Sequence, residues 1–491
     1  MTQDAILNSD VPLDASEISE TAARNRLVIG LLLVSAFVVI LNETIMSVAL
    51  PRLMVSLGVD AGAAQWVTTA FLLTMAVVIP ITGFLLQVLH TRPVFILAMT
   101  LFSVGTLVCA SAPGLEVLVL GRVVQACGTA VMMPLLMTTV MNLVPPETRG
   151  RTMGNISIVI SVAPAIGPTI SGVILSVLDW RWMFLLVLPI GLAALAIGAA
   201  RIKNVTTPRP APLDFLSIIL SALGFGGLVY GLSALGEGHA GAVPSWLPLV
   251  IGAIALGAFI WRQLALQKTD RALLDLRTFR SKTFSVSLIM MAISMICLFG
   301  TIILLPIYMQ TVLGLTTLQS GLLLLPGGLI MGVLAPPVGR LYDRFGPKPL
   351  LIPGAIVVSA VLWLMTMVDQ TTWFGWLLAG HVVISVGLAL LFTPLFTASL
   401  SAVPQQLYSH GSAILGTIQQ VAGAAGVALF VALMTMRTTV LMAAGSSQVE
   451  AVSEGIRVAF LCGAIISLFA IVAAVFVRKP EESGGAPMVH H

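Results

Sequence analysis

The sequence predicts an all-α polytopic membrane protein, and three observations carry that prediction. Of its 491 residues, 58% are hydrophobic and only 9% are charged, whereas a soluble domain carries about 25% charged residues. The mean hydropathy is +1.05. The apolar residues form continuous runs of about 20 residues, the length at which a helix crosses a bilayer. A β-barrel would instead show alternating segments of about 10 residues. No soluble globule could hide this much apolar surface, so the lipid bilayer is the solvent.

Fourteen spans are expected, near residues 27–50, 64–88, 93–112, 115–143, 152–177, 182–201, 214–235 and 246–266, then 283–309, 318–339, 348–368, 373–396, 410–436 and 456–477. An even number places both termini on one side, and Lys and Arg indicate which side. With the N-terminus inside, nineteen of the 24 Lys and Arg fall in cytoplasmic segments. Four (Arg52, Arg181, Arg437 and Arg457) fall outside, and Arg122 is left within the membrane. Both termini are therefore expected in the cytoplasm, at what is termed here the basic end. The net charge of +4 is what such loops supply and does not suggest nucleic acid. The N-terminal segment, with Asp4, Asp10, Asp14, Glu17 and Glu20, lacks the basic region of a cleaved signal peptide. The first helix is expected to serve as an uncleaved insertion signal. Cys109, Cys127, Cys297 and Cys462 all sit in apolar runs without paired spacing, which indicates neither a disulfide frame nor a metal site. Two histidines at the C-terminus, His490 and His491, are too few to argue one.

A weak internal repeat divides the chain. Gly83-Phe-Leu-Leu-Gln87-Val-Leu-His-Thr-Arg92-Pro93 follows the second span, and Gly339-Arg-Leu-Tyr-Asp343-Arg344-Phe-Gly346-Pro-Lys348-Pro349 follows the tenth. Both read as short, basic, inward-facing turns. Secondary transporters are commonly built from repeated halves with the substrate site between them. The expected layout is a tail over 1–26, a six-helix bundle over 27–205 and an inserted helix pair over 206–266. A linker over 267–282, a second six-helix bundle over 283–477 and a tail over 478–491 complete it. The linker, with Leu273, Leu274, Leu276 and Phe279, reads either as an amphipathic segment on the inner leaflet or as a plain solvated connection.

Glu43 is the carboxylate deepest in a hydrophobic run among the first 115 residues, with Asn42 beside it. A charge there costs at least about 2.5–3.5 kcal/mol, so an intramembrane acid is read as functional by default. The plainer alternative is a pairing role with a neighbouring helix. With the helix ending at Leu50, Glu43 lies about 10 Å below the surface. Arg122 lies at the same depth, seven residues past the outer start of its own span at Leu115. An arginine neighbour stabilises a charged carboxylate and burial opposes it, so a pair balanced between the two could load and release a proton. A static ion pair that fixes helix packing is the alternative.

Other candidates are less specific. Ala163 to Gly172 in the fifth span carries Pro164, Gly167 and Pro168. It could form a hinge or seal between the halves, or pack as small-residue helices ordinarily do. Asp343 with Arg344 and Lys348 could cap a helix or bind a guanidinium, or form a solvated turn. Trp180-Arg181-Trp182 reads as an interfacial anchor. Met132, Met133 and Met137 read as packing or lipid-facing residues before they read as an adaptable pocket. His381 reads as a hydrogen-bonded core histidine. No phosphate-binding loop, HExxH or GxSxG pattern occurs, so neither ATP as the energy source nor a membrane enzyme is expected.

Four motifs over about residues 27–478 resemble the fourteen-helix drug:proton antiporters of the major facilitator superfamily. Leu41-Asn42-Glu43-Thr44-Ile45-Met46-Ser47-Val48-Ala49-Leu50-Pro51 is similar to the first-helix L-D-x-T-I-V-N-V-A-L-P pattern. Arg122-x-x-Gln125-x-x-Gly128 resembles the fourth-helix motif associated with proton coupling. Pro164-x-x-Gly167-Pro168-x-x-Ser171-Gly172 resembles the fifth-helix antiporter motif, with Ser171 replacing a glycine. Gly339 to Lys348, through Asp343, Arg344 and Gly346, matches the gating loop G-x-L-x-D-R-x-G-x-K. Two departures matter. Asn42 stands where most members have Asp, and one residue along a helix turns the acid by about 100°. In the first gating loop, from Gly83 to Arg92, Gln87 replaces Asp and His90 replaces Gly.

The resemblance implies the major facilitator fold, two six-helix bundles plus two inserted helices. It also implies proton-driven export of amphipathic or cationic small molecules across the bacterial inner membrane, by a monomer without a cofactor. The LNET and GFLLQ…TR variants narrow it to the subgroup that includes lincomycin-resistance exporters. In that reading Glu43, Asn42, Arg122 and Gln125 couple protons and substrate, Pro164 to Gly172 forms the antiport seal, and Asp343 with Arg344 forms the inner gate. An uptake symporter of the same fold and a lipid or glycolipid exporter are the alternatives.

Overall fold

The computed structural model describes residues 15–46, 49–59, 61–209, 212–237, 244 and 246–478. Every regular element among them is helical, because a backbone in lipid must satisfy its own hydrogen bonds. The first part comprises α1 (Ala15–Ile45), α2 (Leu50–Leu57), α3 (Ala61–Val88), α4 (Thr91–Ala110), α5 (Leu115–Leu143), α6 (Arg149–Val177) and α7 (Trp182–Arg201). Next come α8 (Phe215–Glu237) and α9 (Trp246–Leu266). The last part comprises α10 (Lys282–Ile307), α11 (Thr317–Phe345), α12 (Lys348–Met365), α13 (Phe374–Ser401), α14 (Tyr408–Ala443) and α15 (Gln448–Phe476). Fourteen of these, all but α2, are long and apolar enough to cross a membrane.

The two sets of six repeat one packing plan. In the first, α4 packs on α5 and α7, α3 on α5, and α1 on α6 and α7. In the second, α12 packs on α13 and α15, α11 on α13, and α10 on α14 and α15. The sets meet along two seams, α6 against α11 and α3 against α14. The α8–α9 hairpin lies over the second seam, with α8 in contact with both α3 and α14.

Several local expectations are corrected. The first span ends at Ile45, not Leu50. Pro51 has no N–H and disfavours helix in the residue before it, so it starts a new helix instead of continuing the old one. It occupies the first turn of α2, which Gly58 closes at φ +65°. Both repeated motifs are largely helical, since α3 runs to Val88 and α11 to Phe345. Only Gly346, at φ +78°, makes a true turn. The tail is helical from Ala15.

The linker carries a short helical turn over Leu276–Arg280 with Phe279 facing outward, and the residues just before it are packed against the protein. Leu273, Leu274 and Thr278 are buried, and the chain is pinned by polar contacts. Gln263 Oε1 of α9 accepts the N–H groups of Leu273 and Leu274 at 2.8 and 3.2 Å. Asp275 accepts from the Arg277 N–H and guanidinium at 2.9–3.0 Å. Trp180 is not an interfacial anchor: it is 1% exposed and donates through Nε1 to Ser56 Oγ at 3.1 Å. Trp182 does face outward. His381 is a core histidine, with Nε2 3.1 Å from the Leu324 carbonyl. Met132 and Met137 are buried packing residues. His490 and His491 lie outside the described residues.

Candidate functional site

The charge at the centre of the first half is Arg122, on α5. Its guanidinium is wholly buried, which would be costly without partners. Nη1 donates to Asn42 Oδ1 at 3.2 Å and to Gln125 Oε1 at 2.7 Å. Nε donates to the Val67 carbonyl at 3.4 Å, and the guanidinium carbon lies 3.9 Å from the centre of the Phe71 ring. Gln125 is itself oriented by its amide, which donates to Thr106 Oγ1 at 2.7 Å. Every one of these partners is neutral. Nη2 is buried and has no hydrogen-bond partner among the described residues.

Glu43, one residue along α1, acts on Arg122 through space. Among the described residues its carboxylate forms no hydrogen bond or ion pair with that guanidinium. Helical rotation explains the division of labour. Asn42 points to α5, and two residues on, Thr44 meets α6, where a methyl on Gly167 would overlap its hydroxyl. Glu43 lies between these directions and is half-buried. The depth match between α1 and α5 therefore brings Asn42, not Glu43, onto Arg122.

The second constellation is the pair of junctions at the basic end. On α11, Asp343 Oδ1 accepts the Gly150 N–H at 2.7 Å, and Oδ2 accepts the Arg151 N–H at 2.8 Å. This carboxylate from one half caps the N-terminus of α6 in the other. The helices can approach so closely because Gly339 and Gly150 face each other, and a methyl on either would overlap the opposite backbone or Asp343. On α3, Gln87 Oε1 lies 3.0 Å from His410 Nε2 on α14. Other bonds between the halves gather at this end too. Thr138 Oγ1 donates to Ser412 Oγ at 3.2 Å, and Thr393 Oγ1 to Ser157 Oγ at 2.9 Å. The halves are bonded together at the basic end.

Two equivalent halves, crossed seams and helix-end caps describe a known architecture, and a family model decides it. The model of the Major Facilitator Superfamily matches residues 32–427. The chain belongs to that superfamily. It is 39% identical over 468 residues to an uncharacterized MFS-type transporter of Bacillus subtilis, YcnB, covering 95% of this chain and 98% of the relative. It is 39% identical over 459 residues to the lincomycin resistance protein LmrB of Listeria monocytogenes, covering 92% and 97%. The multidrug resistance protein B homolog of Mycobacterium tuberculosis is 28% identical over 425 residues, covering 84% and 77%. Among solved structures, the proton:xylose symporter XylE superposes with a TM-score of 0.65 at 14% identity, covering 94% of this chain and 97% of that one. That likeness bears on the fold alone. This major facilitator protein is a multi-pass membrane transporter, not an enzyme.

Within the superfamily framework the remaining candidates divide. Ala165, inside the fifth-span motif, abuts Gly328 of α11, so the motif's first half lies on a seam. Pro164 and Pro168 are half-buried within a continuous α6. Gly172 is exposed with no atom within 4 Å of where a methyl would stand, and it belongs to no close contact here. Arg344 is exposed, its guanidinium 5.0 Å from the Phe345 ring, and Lys348 opens α12. Arg92 is exposed, with its backbone N–H on Asn204 Oδ1 at 3.2 Å. Three participants were not singled out from sequence. Phe71 and Thr106 look like ordinary apolar-helix residues. Arg149 looked like a loop cation, yet it donates to the Met141 and Val144 carbonyls that end α5, at 2.9 and 3.1 Å.

Proposed function

We propose that this transporter exports amphipathic or cationic small molecules across the bacterial cytoplasmic membrane, driven by inward proton flow, by alternating opening of the interface between its halves. The observation that carries the reading is the set of hydrogen bonds of Arg122. Among the described residues its buried guanidinium donates to neutral acceptors alone, so its charge must be balanced by an acid that does not bond it directly. Glu43 is the acid beside it, with a carboxylate not committed to a hydrogen bond among the described residues. An ionised Glu43 balances Arg122, and a proton or a cationic substrate arriving at Glu43 competes for the same charge. One carboxylate that can hold either, but not both, is sufficient for exchange. Asn42 and Gln125 keep the guanidinium in place while the carboxylate changes state.

The seams support the alternating part of the reading. The basic end is held by a few polar contacts at helix ends, which can break without unfolding a helix. The relatives named for lincomycin and multidrug resistance support small-molecule drugs as the cargo.

Everted vesicles loaded with acid test both parts. Addition of a cationic drug should release protons from the vesicles, and Glu43→Gln should remove that release while leaving the protein in the membrane. Drug movement without any proton signal would overturn coupling. Transport by Glu43→Gln with unchanged rate and pH dependence would overturn the site.

A further inference from the structure

His410 is a buried ring that the exchange reading does not use. It stands in the first turn of α14, 2% exposed, and meets Gln87 across the α3–α14 seam. The helices come together one turn earlier on α3: a methyl on Gly83 would lie 3.2 Å from Ala413 Cβ and 3.3 Å from His410 Cα. Gly83 precedes Gln87 by four residues, as Gly339 precedes Asp343. The two seams are therefore the same device with different chemistry. At α6–α11 a carboxylate accepts two backbone N–H groups, whereas at α3–α14 an amide meets an imidazole.

The far side of His410 is fixed. Its Nδ1 is buried without a hydrogen-bond partner among the described residues and lies beside Gly83 of α3, where an added methyl would stand 3.3 Å from it. The charged groups that act on it are Asp275 and Arg277 of the linker, which bind each other. Leu273 is held by Gln263, whose Nε2 donates to Ser217 Oγ at 2.8 Å, and α9 is held to the start of α8 by Arg262 on Asp214. The inserted helices and linker thus form a wall beside His410, and among the described residues the one hydrogen bond its ring makes to the first half is to Gln87.

We propose that His410 is a gating residue whose neutral hydrogen bond to Gln87 holds the α3–α14 seam shut at the basic end, and that this seam yields before the α6–α11 seam. Charge-assisted hydrogen bonds are roughly twice as strong as neutral ones, and Asp343 makes two of them at the end of a helix dipole. The neutral contact is the weaker latch. The inference rests on the alternating-access reading above, but not on which cargo moves or whether protons drive it.

Thiol labelling of purified protein in detergent tests it, with Cys109, Cys127, Cys297 and Cys462 replaced. Ser412→Cys reports the α3–α14 side and Ser157→Cys the α6–α11 side. Gln87→Leu should speed labelling at Ser412→Cys by about fivefold and leave Ser157→Cys near its starting rate. Gln87→Asn, one methylene short of His410, should do the same and serves if Gln87→Leu does not fold. Gln87→Asp would give a protonated His410 a charged acceptor across the seam. It should slow labelling at about pH 6 relative to about pH 8, and Gln87→Asp with His410→Asn should lose that difference. Equal acceleration of both reporters, no acceleration, or a pH effect that survives His410→Asn would overturn the proposal. Loss of drug-evoked proton release with labelling as expected would overturn proton coupling alone.

Discussion

Replacement of Asp343 by Asn isolates the electrostatic part of the stronger latch. The side chain keeps its shape, so one oxygen can still accept the Gly150 N–H, now at 2.7 Å. The other position becomes an NH2 group facing the Arg151 N–H, which the carboxylate accepts at 2.8 Å. Two quantities are lost. A charge at a helix N-terminus contributes about 0.3–1 kcal/mol, more when partly buried, and a hydrogen bond about 0.5–1.5 kcal/mol. Together they destabilise the closed basic end by about 2 kcal/mol, close to a thirtyfold change in the open-to-closed ratio at about 1.4 kcal/mol per factor of ten. The readout is maleimide labelling of Ser157→Cys, which lies on the α6 side of the junction and bonds Thr393 across it. Labelling should accelerate by at least about tenfold while the thermal unfolding temperature moves little, because no helix loses its core. Labelling at the parent rate would show that the cap is not what keeps this end shut.

Two further perturbations act nearby. Gly150→Ala should prop α6 from α11, since the added methyl would overlap Asp343 and the Gly339 carbonyl; faster basic-end labelling with slower transport is expected, and tighter closure would contradict the packing. Asp214→Asn should lower the unfolding temperature at neutral pH, because the hydrogen bond and charge of Arg262 hold the Asp214 carboxyl well below its usual range. A depressed carboxyl adds stability above its unfolded value and loses it as pH falls through the folded one. The gap between parent and variant should therefore narrow only in strong acid, and a gap that closes near neutrality would refute the pairing.

The helices were legible because lipid leaves one solution for an apolar run of about 20 residues, and the four family motifs identify the fold. What the sequence hid was set by small rotations and by distant partners. Pro51 was visible, yet the end of α1 was placed beyond Ile45 because the apolar run continues through the break. The depth of Arg122 was legible from helical rise, but its partner depended on which of two adjacent residues faces α5. His410 carries no local signal, since only the seam between halves puts it on Gln87. The linker's leucines were compatible with a membrane surface or a solvated connection, and the partner that fixes the backbone of Leu273 and Leu274, the Gln263 amide, lies on another element.

Two amides in the first half, Asn42 and Gln87, stand where the motif patterns they resemble carry Asp. Both keep a hydrogen bond that a carboxylate would make, to Arg122 at 3.2 Å and to His410 at 3.0 Å, and both remove its charge. With Asn42 neutral, Glu43 is the acid that remains beside Arg122, so in the proposed exchange the state of one side chain sets the sign of the site. If charge alone matters, its exact origin on α1 should be partly exchangeable. Asn42→Asp added to Glu43→Gln places a carboxylate against Arg122 Nη1 and should restore part of the drug-evoked proton release lost in Glu43→Gln. The restored carboxylate sits directly against the guanidinium, which favours its charged form, so it should take up a proton less readily and transport more slowly than the parent. Full inactivity of the double variant, in a protein that reaches the membrane intact, would mean that the direction in which Glu43 points is itself required, and that the displaced acid is a substrate contact and not a movable charge.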